Sequence, residues 1–412
     1  MSQIEIIPAQ GPVSGTVNVP GSKSISNRAL LLAAISPGVT RLKGLLYSDD
    51  TEACLIALGN LGVSVQDQGE NEWIIEGCSR FQSASIDCRD AGTVSRFLIP
   101  ICAAVGGDFQ FYGTERLSQR PMKPLFDVLI EQGVEIEYLG QLGFLPIHMK
   151  STGIKGGKIQ VEMKDSSQFV SGLLLASSYA RSPLIIDQDL EEKPYVQMSL
   201  RMMQDFARPL SLGEERVYTI EPDASTASYF FAAAALTGGC VTIPGLSLEM
   251  MQGDIRFLGL LEKMGATVTE GQNGVTVQGP ETLKGLGTVD MTGFTDTFMT
   301  LAAIAPFAST ATTITGLRHT RLQESDRVEA MRQGLSSLGA GVTTTEDTIS
   351  IQPSRLHGGH ISSHNDHRIA MSHALIGLCV AGVVIDGAEC VKKTCPQFFE
   401  LLASLVARGG EY

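Results

Sequence analysis

The chain repeats one pattern six times, and this repetition restricts its possible folds more than any other feature of the sequence. In each copy a few small polar residues precede a long apolar run. The copies begin near Ser24, Thr93, Ser167, Ser225, Asp296 and His367. Side chains of Asp, Ser, Thr and Asn accept hydrogen bonds from the free amides at a helix start. Because the runs are apolar on every side, each predicts a capped helix that is buried all round.

A second, amphipathic helix follows in most copies and leads into two short β-rich runs, as in LIALGNLGVSVQ and FDVLIEQGVEIEY. The glycine after each helix is the expected left-handed cap. The repeated order is therefore strand, buried helix, strand, surface helix and hairpin. Three copies in each half predict an α/β protein of two domains with buried helices and outer sheets, an inverse α/β barrel. An ordinary doubly wound α/β protein is the alternative.

The third copy is shorter than the others. Equivalent helix starts lie 69 to 74 residues apart, but Ser167 and Ser225 are separated by only 58 residues. A hairpin of two short strands is close to the missing length. The spacing predicts that the third copy lacks its outer hairpin. Residues 216–221 should then form the strand that crosses to the other domain.

Charge and composition limit the partners of the chain. The net charge of -13 argues against nucleic acid or an anionic membrane as the main partner. The apolar stretches are too short to span a bilayer, and the start lacks a signal-peptide pattern, so a cytoplasmic location is expected. The eight cysteines show no CxxC pairing and are interpreted as free thiols.

Two segments imitate cofactor or metal sites. The run GTVNVPGSKS from Gly15 approaches a P-loop, but its glycine spacing and the residue before lysine differ from that motif. His357, His360, His364 and His367 are not accompanied by a fitting set of cysteines or carboxylates. We therefore expect neither a metal nor a cofactor.

Basic residues gather at the helix starts and in the turns between copies, where helix dipoles and free amides also favour anions. These cations are Lys23, Arg28, Arg96, Arg116, Arg120, Arg327, Arg368, Lys392 and Lys393. Any one of them could be a solvated surface residue, but together they predict a receptor for phosphate and carboxylate groups. Among them lie Asp50, Asp296 and Glu324, which could pair with the cations or transfer protons.

Several segments, in order and over nearly the whole chain, resemble the signature segments of the 5-enolpyruvylshikimate-3-phosphate (EPSP) synthase family. They are PGSKSISNRALLLAA, SSQFVSGLLL, DASTASYFFAAAAL, MQGDIRFLGLLEKMGA, ESDRVEAM, NDHRIAM and KTCPQFFELL. The related enzyme that uses UDP-N-acetylglucosamine is a poorer match, because it opens with a GAKNA-type segment and carries a reactive loop cysteine. The resemblance implies transfer of the enolpyruvyl group of phosphoenolpyruvate to the 5-hydroxyl of shikimate 3-phosphate, through a tetrahedral intermediate. It also implies a monomer in the shikimate pathway of aromatic amino-acid biosynthesis.

The resemblance assigns residues to both substrates. Phosphoenolpyruvate would be bound by Lys23, Gly92, Arg96, Arg120, Gln168, Arg327, Arg368 and Lys393. Shikimate 3-phosphate would be bound by Lys23, Ser24, Arg28, Ser166, Ser167, Gln168, Tyr195 and Asp296. Glu324 and Lys23 would carry protons at C3 and at the departing oxygen, and Asp296 would take the hydroxyl proton. The expected domains are residues 21–221 and a discontinuous domain of residues 1–20 and 222–412, with the active site in the cleft between them.

Four positions depart from the family pattern. Asp90 and His319 stand where Asn is common, Gln323 where Lys is common, and Glu192 where a phosphate-binding Ser is common. A carboxylate beside the 3-phosphate would weaken binding unless a neighbour such as Lys193 offsets it. Two alternatives therefore stay open, an enolpyruvyl transferase for another phosphorylated alcohol and an inactive binding homologue.

Overall fold

A computed structural model describes residues 2–161, 167–187, 189–190, 193–211 and 213–408. The strands are β1 (Gln3–Glu5), β2 (Ser14–Thr16), β3 (Gly38–Lys43), β4 (Ser64–Gly69), β5 (Glu72–Gly77), β6 (Ala84–Asp87), β7 (Gly107–Tyr112), β8 (Glu135–Tyr138), β9 (Ile147–Ser151), β10 (Gly157–Ile159), β11 (Leu184–Ile186), β12 (Glu215–Thr219), β13 (Cys240–Pro244), β14 (Thr267–Gly271), β15 (Gly274–Gln278), β16 (Gly287–Asp290), β17 (Thr312–Thr315), β18 (Val342–Thr344), β19 (Ile349–Ile351), β20 (Gly359–Ser362) and β21 (Val383–Asp386).

The helices are α1 (Lys23–Ile35), α2 (Asp49–Asn60), α3 (Gly92–Val105), α4 (Glu115–Ser118), α5 (Lys123–Glu131), α6 (Gln168–Ala176), α7 (Pro194–Phe206), α8 (Ala224–Thr237), α9 (Phe257–Lys263), α10 (Phe298–Ile304), α11 (Arg327–Ser337), α12 (His367–Gly377) and α13 (Phe398–Arg408). Short 3-10 helices at Gly253–Arg256, Thr295–Thr297 and Ala388–Lys393 lie beside the site residues described below. No helix in the described ranges is long and apolar enough to cross a membrane.

The chain divides into two compact units, a continuous unit (Gly21–Glu221) and a discontinuous unit (Met1–Pro20 with Pro222–Tyr412). In the continuous unit the strand orders are β12-β3-β5-β4, β6-β7-β9-β8 and β10-β11. In the discontinuous unit they are β14-β15-β13-β2, β16-β17-β19-β18 and β1-β21-β20. Within the described residues each unit therefore contains three sheets, one for each copy of the repeat, and the predicted mixture of helices and strands is confirmed.

The first helix of each copy is enclosed by its unit. All residues of α10 and α12 are buried, as are residues 25–35 of α1 and residues 169–176 of α6. These helices begin at the predicted polar segments, and their all-round apolarity is explained by contacts on every side. The prediction of buried helices is confirmed.

The predicted side-chain caps are only partly present. Asp223 accepts a hydrogen bond from Thr226 N at 2.7 Å, and Asp366 accepts one from Arg368 N at 3.0 Å, so α8 and α12 are capped. The residues before α1, α3, α6 and α10 form no side-chain cap. The prediction was wrong at these four starts, where the amide groups are left for other acceptors.

The third copy lacks its outer hairpin, as the spacing predicts. The described residues between Phe206 and Asp223 contain one strand, β12, which pairs in parallel with β3 of the first sheet. This strand ends at Thr219, before the chain passes to the discontinuous unit, so the crossing lies after the strand rather than in it.

The repeated order also predicts a hairpin at the end of the sixth copy. For the residues that the structure describes, this prediction is wrong. There β21 pairs with β20 and with β1, and the chain continues into α13. The antiparallel partner comes from the start of the chain, through the pairs Gln3 with Asp386 and Glu5 with Val384.

Candidate functional site

The first cluster of site residues lies in the continuous unit, at the starts of its helices. Lys23 is the first residue of α1, and its Nζ lies 3.6 Å from Oδ2 of Asp50 in the first turn of α2. The two side chains are only 12% and 5% exposed. A lysine held beside a carboxylate in a partly dry setting is restrained in position and is suited to a proton-carrying role.

Arg96 and Gln168 are brought together across two buried helices. Arg96 Nη1 on α3 donates to Oε1 of Gln168, the first residue of α6, at 2.6 Å, and its guanidinium lies 5.3 Å from the centre of the Phe169 ring. The helices can approach closely because Gly172 has no side chain. A Cβ at this position would lie only 2.2 Å from the Arg96 carbonyl oxygen. This contact fixes the relative position of two residues that are predicted to bind phosphoenolpyruvate.

Gly92 and Arg120 form a second contact of the same group. A Cβ at Gly92 would lie 2.5 Å from Nη1 of Arg120, so the guanidinium rests against the bare backbone at the uncapped start of α3. Arg120 is 8% exposed. A guanidinium beside free amides is an arrangement that binds phosphate or carboxylate oxygens.

Arg28 is more deeply enclosed than the resemblance suggests. It donates to Ser199 Oγ, Ser171 Oγ and the carbonyl oxygens of Ser24 and Tyr195 at 2.8 to 3.3 Å. These contacts use four of its five N–H groups. Burial lowers the pKa of Arg28 to about 10, partly offset by Tyr195. Arg28 therefore holds the first turn of α7 to α1 and α6, and one N–H group is left for a ligand.

The structure describes some, but not all, of the other residues that are predicted to bind shikimate 3-phosphate. Ser24 is half-buried in the first turn of α1, Ser167 directly precedes α6, and Tyr195 is in the first turn of α7. Ser166 and Glu192 lie outside the described residues. Asp90 accepts a hydrogen bond from Thr114 Oγ1 at 3.0 Å, a role that an asparagine oxygen could also fill.

The second cluster lies in the discontinuous unit and is centred on Arg327, the first residue of α11. Its Nε donates to Asp366 Oδ2 at 2.8 Å, and its Nη atoms donate to Asp296 at 3.1 Å and Glu324 at 2.8 Å. Gln323 also accepts from Nη1. Burial opposes the charge of Arg327, but Asp366, Glu324 and Asp296 together outweigh burial and raise its pKa. The guanidinium is permanently charged and holds two of the three predicted proton carriers.

Arg368 and Lys393 complete this cluster. Arg368 Nη2 donates to Asp296 Oδ2 at 2.8 Å, and Lys393 Nζ lies 3.6 Å from Glu324 Oε1. Asp296 and Glu324 are therefore each held by two cations, including Arg327. A substrate anion that enters this cluster would compete with both carboxylates for the same cations.

Sequence reasoning missed Asp366, whose buried carboxylate also accepts from Ser325 Oγ at 3.0 Å. The signal was its place as the capping residue of NDHRIAM, which we interpreted only as a helix start. Two departures from the family pattern also lie here. His319 Nε2 contacts Thr295 Oγ1 at 3.0 Å, and Gln323 supplies an acceptor to Arg327 that lysine could not provide.

The described residues contain no group of three or more His, Cys, Asp or Glu side chains arranged to hold a metal ion. The histidines that imitate a ligand series are engaged separately. His357 Nδ1 contacts the Gly358 carbonyl, and His360 Nδ1 contacts Asp386 at 3.3 Å.

Comparison with known proteins identifies the family. The sequence profile of EPSP synthase (3-phosphoshikimate 1-carboxyvinyltransferase) matches residues 7–402. The 3-phosphoshikimate 1-carboxyvinyltransferase 2 of Halalkalibacterium halodurans is 37% identical, over 98% of this chain and 94% of the relative. The chain belongs to the EPSP synthase family. The activity predicted from the sequence, 3-phosphoshikimate 1-carboxyvinyl transfer in the shikimate pathway, is therefore the activity of this chain.

Solved structures support the same fold. An EPSP synthase from Acinetobacter baumannii has a TM-score of 0.82 and 29% identity, and the match covers 98% of each chain. The enolpyruvyl transferase NikO from Streptomyces tendae shares the fold with a TM-score of 0.75 at 16% identity, covering 99% of this chain and 97% of that one. The predicted enolpyruvyl transferase-like architecture is confirmed.

Proposed function

We propose that the two clusters act on one pair of substrates, phosphoenolpyruvate and shikimate 3-phosphate, and that the residues carry the roles given below. Lys23, Gly92, Arg96, Arg120 and Gln168 of the continuous unit, with Arg327, Arg368 and Lys393 of the discontinuous unit, bind the phosphate and carboxylate of phosphoenolpyruvate. Ser24, Arg28, Ser166, Ser167, Tyr195 and Asp296 bind shikimate 3-phosphate. The proposal includes a monomeric, cytoplasmic enzyme and a site that requires both units.

The reaction needs one base and one acid at neighbouring positions. Asp296 takes the proton of the 5-hydroxyl as its oxygen bonds to C2 of phosphoenolpyruvate, and Glu324 gives a proton to C3. The tetrahedral intermediate then loses phosphate as its C2–O bond breaks. Lys23 supplies the proton to the leaving oxygen, and Glu324 removes a proton from C3 to restore the double bond.

One observation supports these roles most directly. Asp296 and Glu324 are held by the same guanidinium, at 3.1 Å and 2.8 Å from the Nη atoms of Arg327. Each carboxylate also contacts a second cation, Arg368 or Lys393. Two carboxylates fixed this way can exchange protons with neighbouring reacting atoms while the cations bind the anionic substrate.

The test is phosphate release from phosphoenolpyruvate that depends on shikimate 3-phosphate. Glu324→Gln should lower kcat by about 10²- to 10⁴-fold, because shape is kept while the proton carrier is lost. Calorimetry should show that this variant still binds shikimate 3-phosphate. Lys23→Met should weaken binding as well as turnover.

Glu329→Gln is the matched control, because Glu329 lies in the first turn of α11, which follows Glu324 in the chain, and pairs with Arg332 through its carboxylate oxygens at 2.5 to 2.8 Å. It should keep normal turnover. Near-normal turnover of Glu324→Gln would show that another group carries the C3 proton. Phosphate release without shikimate 3-phosphate, or release that requires another alcohol, would contradict the proposed substrate pair.

A further inference from the structure

The guanidinium of Arg327 has five N–H groups, and acceptors of the protein engage all of them. Nε and Nη2 donate to the two oxygens of Asp366 at 2.8 and 3.5 Å. Nη2 also donates to Glu324 at 2.8 Å, and Nη1 donates to Asp296 at 3.1 Å and to Gln323. The side chain of Arg327 is only 2% exposed. A substrate anion can therefore bind Arg327 only after one of these four acceptors has moved away.

Three of the four acceptors are carboxylates that are costly to displace. Asp366 is fully buried. Asp296 also pairs with Arg368 at 2.8 Å, and Glu324 with Lys393 at 3.6 Å. An ionised acceptor forms a stronger hydrogen bond with a guanidinium than a neutral acceptor does. Movement of any of these carboxylates would therefore break a charged pair as well as a hydrogen bond.

Gln323 differs from the other three acceptors in charge and in position. Its side-chain oxygen is neutral, so the guanidinium holds it less strongly than it would hold a carboxylate or phosphate oxygen. Gln323 is half-buried and directly follows the 3-10 helix Arg318–Leu322. Its side chain can therefore rotate toward solvent without movement of a helix or a strand. Of the four acceptors, Gln323 is the one that a substrate anion displaces most easily.

We propose that Gln323 is a positioning residue that engages a substrate-binding N–H group of Arg327 before phosphoenolpyruvate binds, and that the substrate anion then displaces it. This inference rests on the proposed function, because it takes Arg327 to be a ligand of phosphoenolpyruvate. The exchange keeps the buried guanidinium hydrogen-bonded before and after binding. It also lowers the affinity, because the hydrogen bond from Arg327 to Gln323 must break. Gln323 thus acts on the affinity through Arg327 and not as a ligand of its own.

The experiment measures the KM for phosphoenolpyruvate and for shikimate 3-phosphate in two variants. Gln323→Met keeps the length of the side chain but has no strong acceptor, so the KM for phosphoenolpyruvate should fall about three- to tenfold. Gln323→Glu offers Arg327 an anionic acceptor that is harder to displace, so this KM should rise about tenfold. The kcat and the KM for shikimate 3-phosphate should change less in both variants.

Gln333→Met is the matched control, because Gln333 is exposed on α11 and donates to Glu329 at 2.8 Å. It should leave both KM values as in the wild type. A merely structural role of Gln323 would raise the KM for phosphoenolpyruvate in both of its variants. The opposite changes expected for Gln323→Met and Gln323→Glu therefore distinguish displacement from a structural role.

Thermal unfolding in the presence of inorganic phosphate tests the same exchange without turnover. An anion that binds the folded protein raises its Tm by mass action. In Gln323→Met one N–H group of Arg327 has lost its strong acceptor. The same phosphate concentrations should therefore raise the Tm of this variant more than that of the wild type.

An unchanged or higher KM for phosphoenolpyruvate in Gln323→Met would overturn the inference, as would equal effects of phosphate on the two Tm values. A change mainly in the KM for shikimate 3-phosphate would show that Gln323 binds that substrate directly, and would also overturn it. If the wild type releases no phosphate from phosphoenolpyruvate, the proposed function fails, while the phosphate titration still tests the exchange at Arg327.

Discussion

Gly92 determines how closely Arg120 approaches the start of α3. An added Cβ would lie 2.5 Å from Nη1 and 2.9 Å from Cζ of Arg120. The clash is with the end of a flexible side chain, which can move away without disturbing the backbone. A methyl group here should therefore change ligand binding more than folding.

We expect Gly92→Ala to raise the KM for phosphoenolpyruvate about tenfold, equivalent to about 1.4 kcal/mol, while the Kd of shikimate 3-phosphate changes less. Steady-state kinetics and calorimetry measure the two quantities. Gly59→Ala is the control, since a Cβ at that helical position meets no atom within 4 Å. Equal KM values for Gly92→Ala and the wild type would show that Arg120 does not act through this contact.

His373 gives the fold a defined sensitivity to acid. It is fully buried on α12, its Nδ1 contacts the Ile369 carbonyl at 3.0 Å, and burial, together with a smaller effect of His364, lowers its pKa to about 4. Between pH 6.5 and pH 4 the unfolded chain takes up a proton that the folded chain refuses, so stability falls as the pH falls.

His373→Leu should therefore reduce the loss of unfolding free energy between pH 7 and pH 5 by about 2 kcal/mol. Urea titrations at the two pH values measure this difference. His357→Leu, at an exposed position, should leave the pH dependence as in the wild type. The same loss of stability in His373→Leu and in the wild type would mean that other groups cause the acid sensitivity.

At the scale of elements, Arg216 secures the place where the third copy lacks its hairpin. Its guanidinium donates to the carbonyl oxygens of Phe206 and Arg208 at 3.0 and 2.7 Å, and to Thr40 Oγ1 on β3 at 3.4 Å. It also lies 5.1 Å from the centre of the Phe206 ring. One buried side chain thus joins the end of α7, β12 and the first sheet.

Arg216→Ala should lower the free energy of unfolding by about 2 to 3 kcal/mol, because buried carbonyl groups lose a charged donor. Chemical denaturation followed by circular dichroism is the measurement. Arg208→Ala should cost less than about 0.5 kcal/mol, because Arg208 is exposed and pairs with Glu214 at the surface. Equal effects of the two substitutions would show that Arg216 adds no more stability than a surface ion pair.

The helices could be predicted from the sequence because their signal is local. The run from Ala29 to Ile35 contains only apolar residues, so it requires burial whatever surrounds it. The pairing of β12 with β3 could not be predicted, because hydrogen bonds between distant strands leave no local pattern. The missing hairpin was predictable because the other copies of the repeat have nearly equal lengths, so the shorter third copy must lack an element.

The candidate site shows the same division. Polar residues at helix starts marked Lys23, Arg327 and Arg368, but no pattern indicated that Asp366 and Gln323 would share the guanidinium of Arg327. Such partners depend on how two helix starts and a loop are placed in space. The caps predicted before α1 and α6 are absent for a related reason, since a capping residue type does not guarantee the cap.

For the whole molecule, the net charge of -13 hides an uneven distribution of charge. Lys23, Arg96 and Arg120 lie in the continuous unit, and Arg327, Arg368 and Lys393 lie in the discontinuous unit. If both sets bind the same two polyanions, as proposed, each substrate anion attracts cations of both sets and should favour a more compact protein.

X-ray scattering of Glu324→Gln with both substrates should therefore give a smaller radius of gyration than the same variant without them. Inorganic phosphate at matched ionic strength is the control and should have less effect. An unchanged radius with saturating substrates would contradict a site that requires both units.

The strands β1 and β2 pair with strands that come much later in the chain, and this sets an order for folding during translation. Residues 2–20 leave the ribosome well before their partners, because β2 pairs with β13 at Cys240 and β1 pairs with β21 at Asp386. All strands of the continuous unit lie between Gly21 and Glu221, so the nascent chain can complete that unit while its own beginning still lacks its partners. Protease treatment of stalled nascent chains should show residues 21–221 protected before residues 1–20. A segment that is synthesised before the continuous unit would then fold after it.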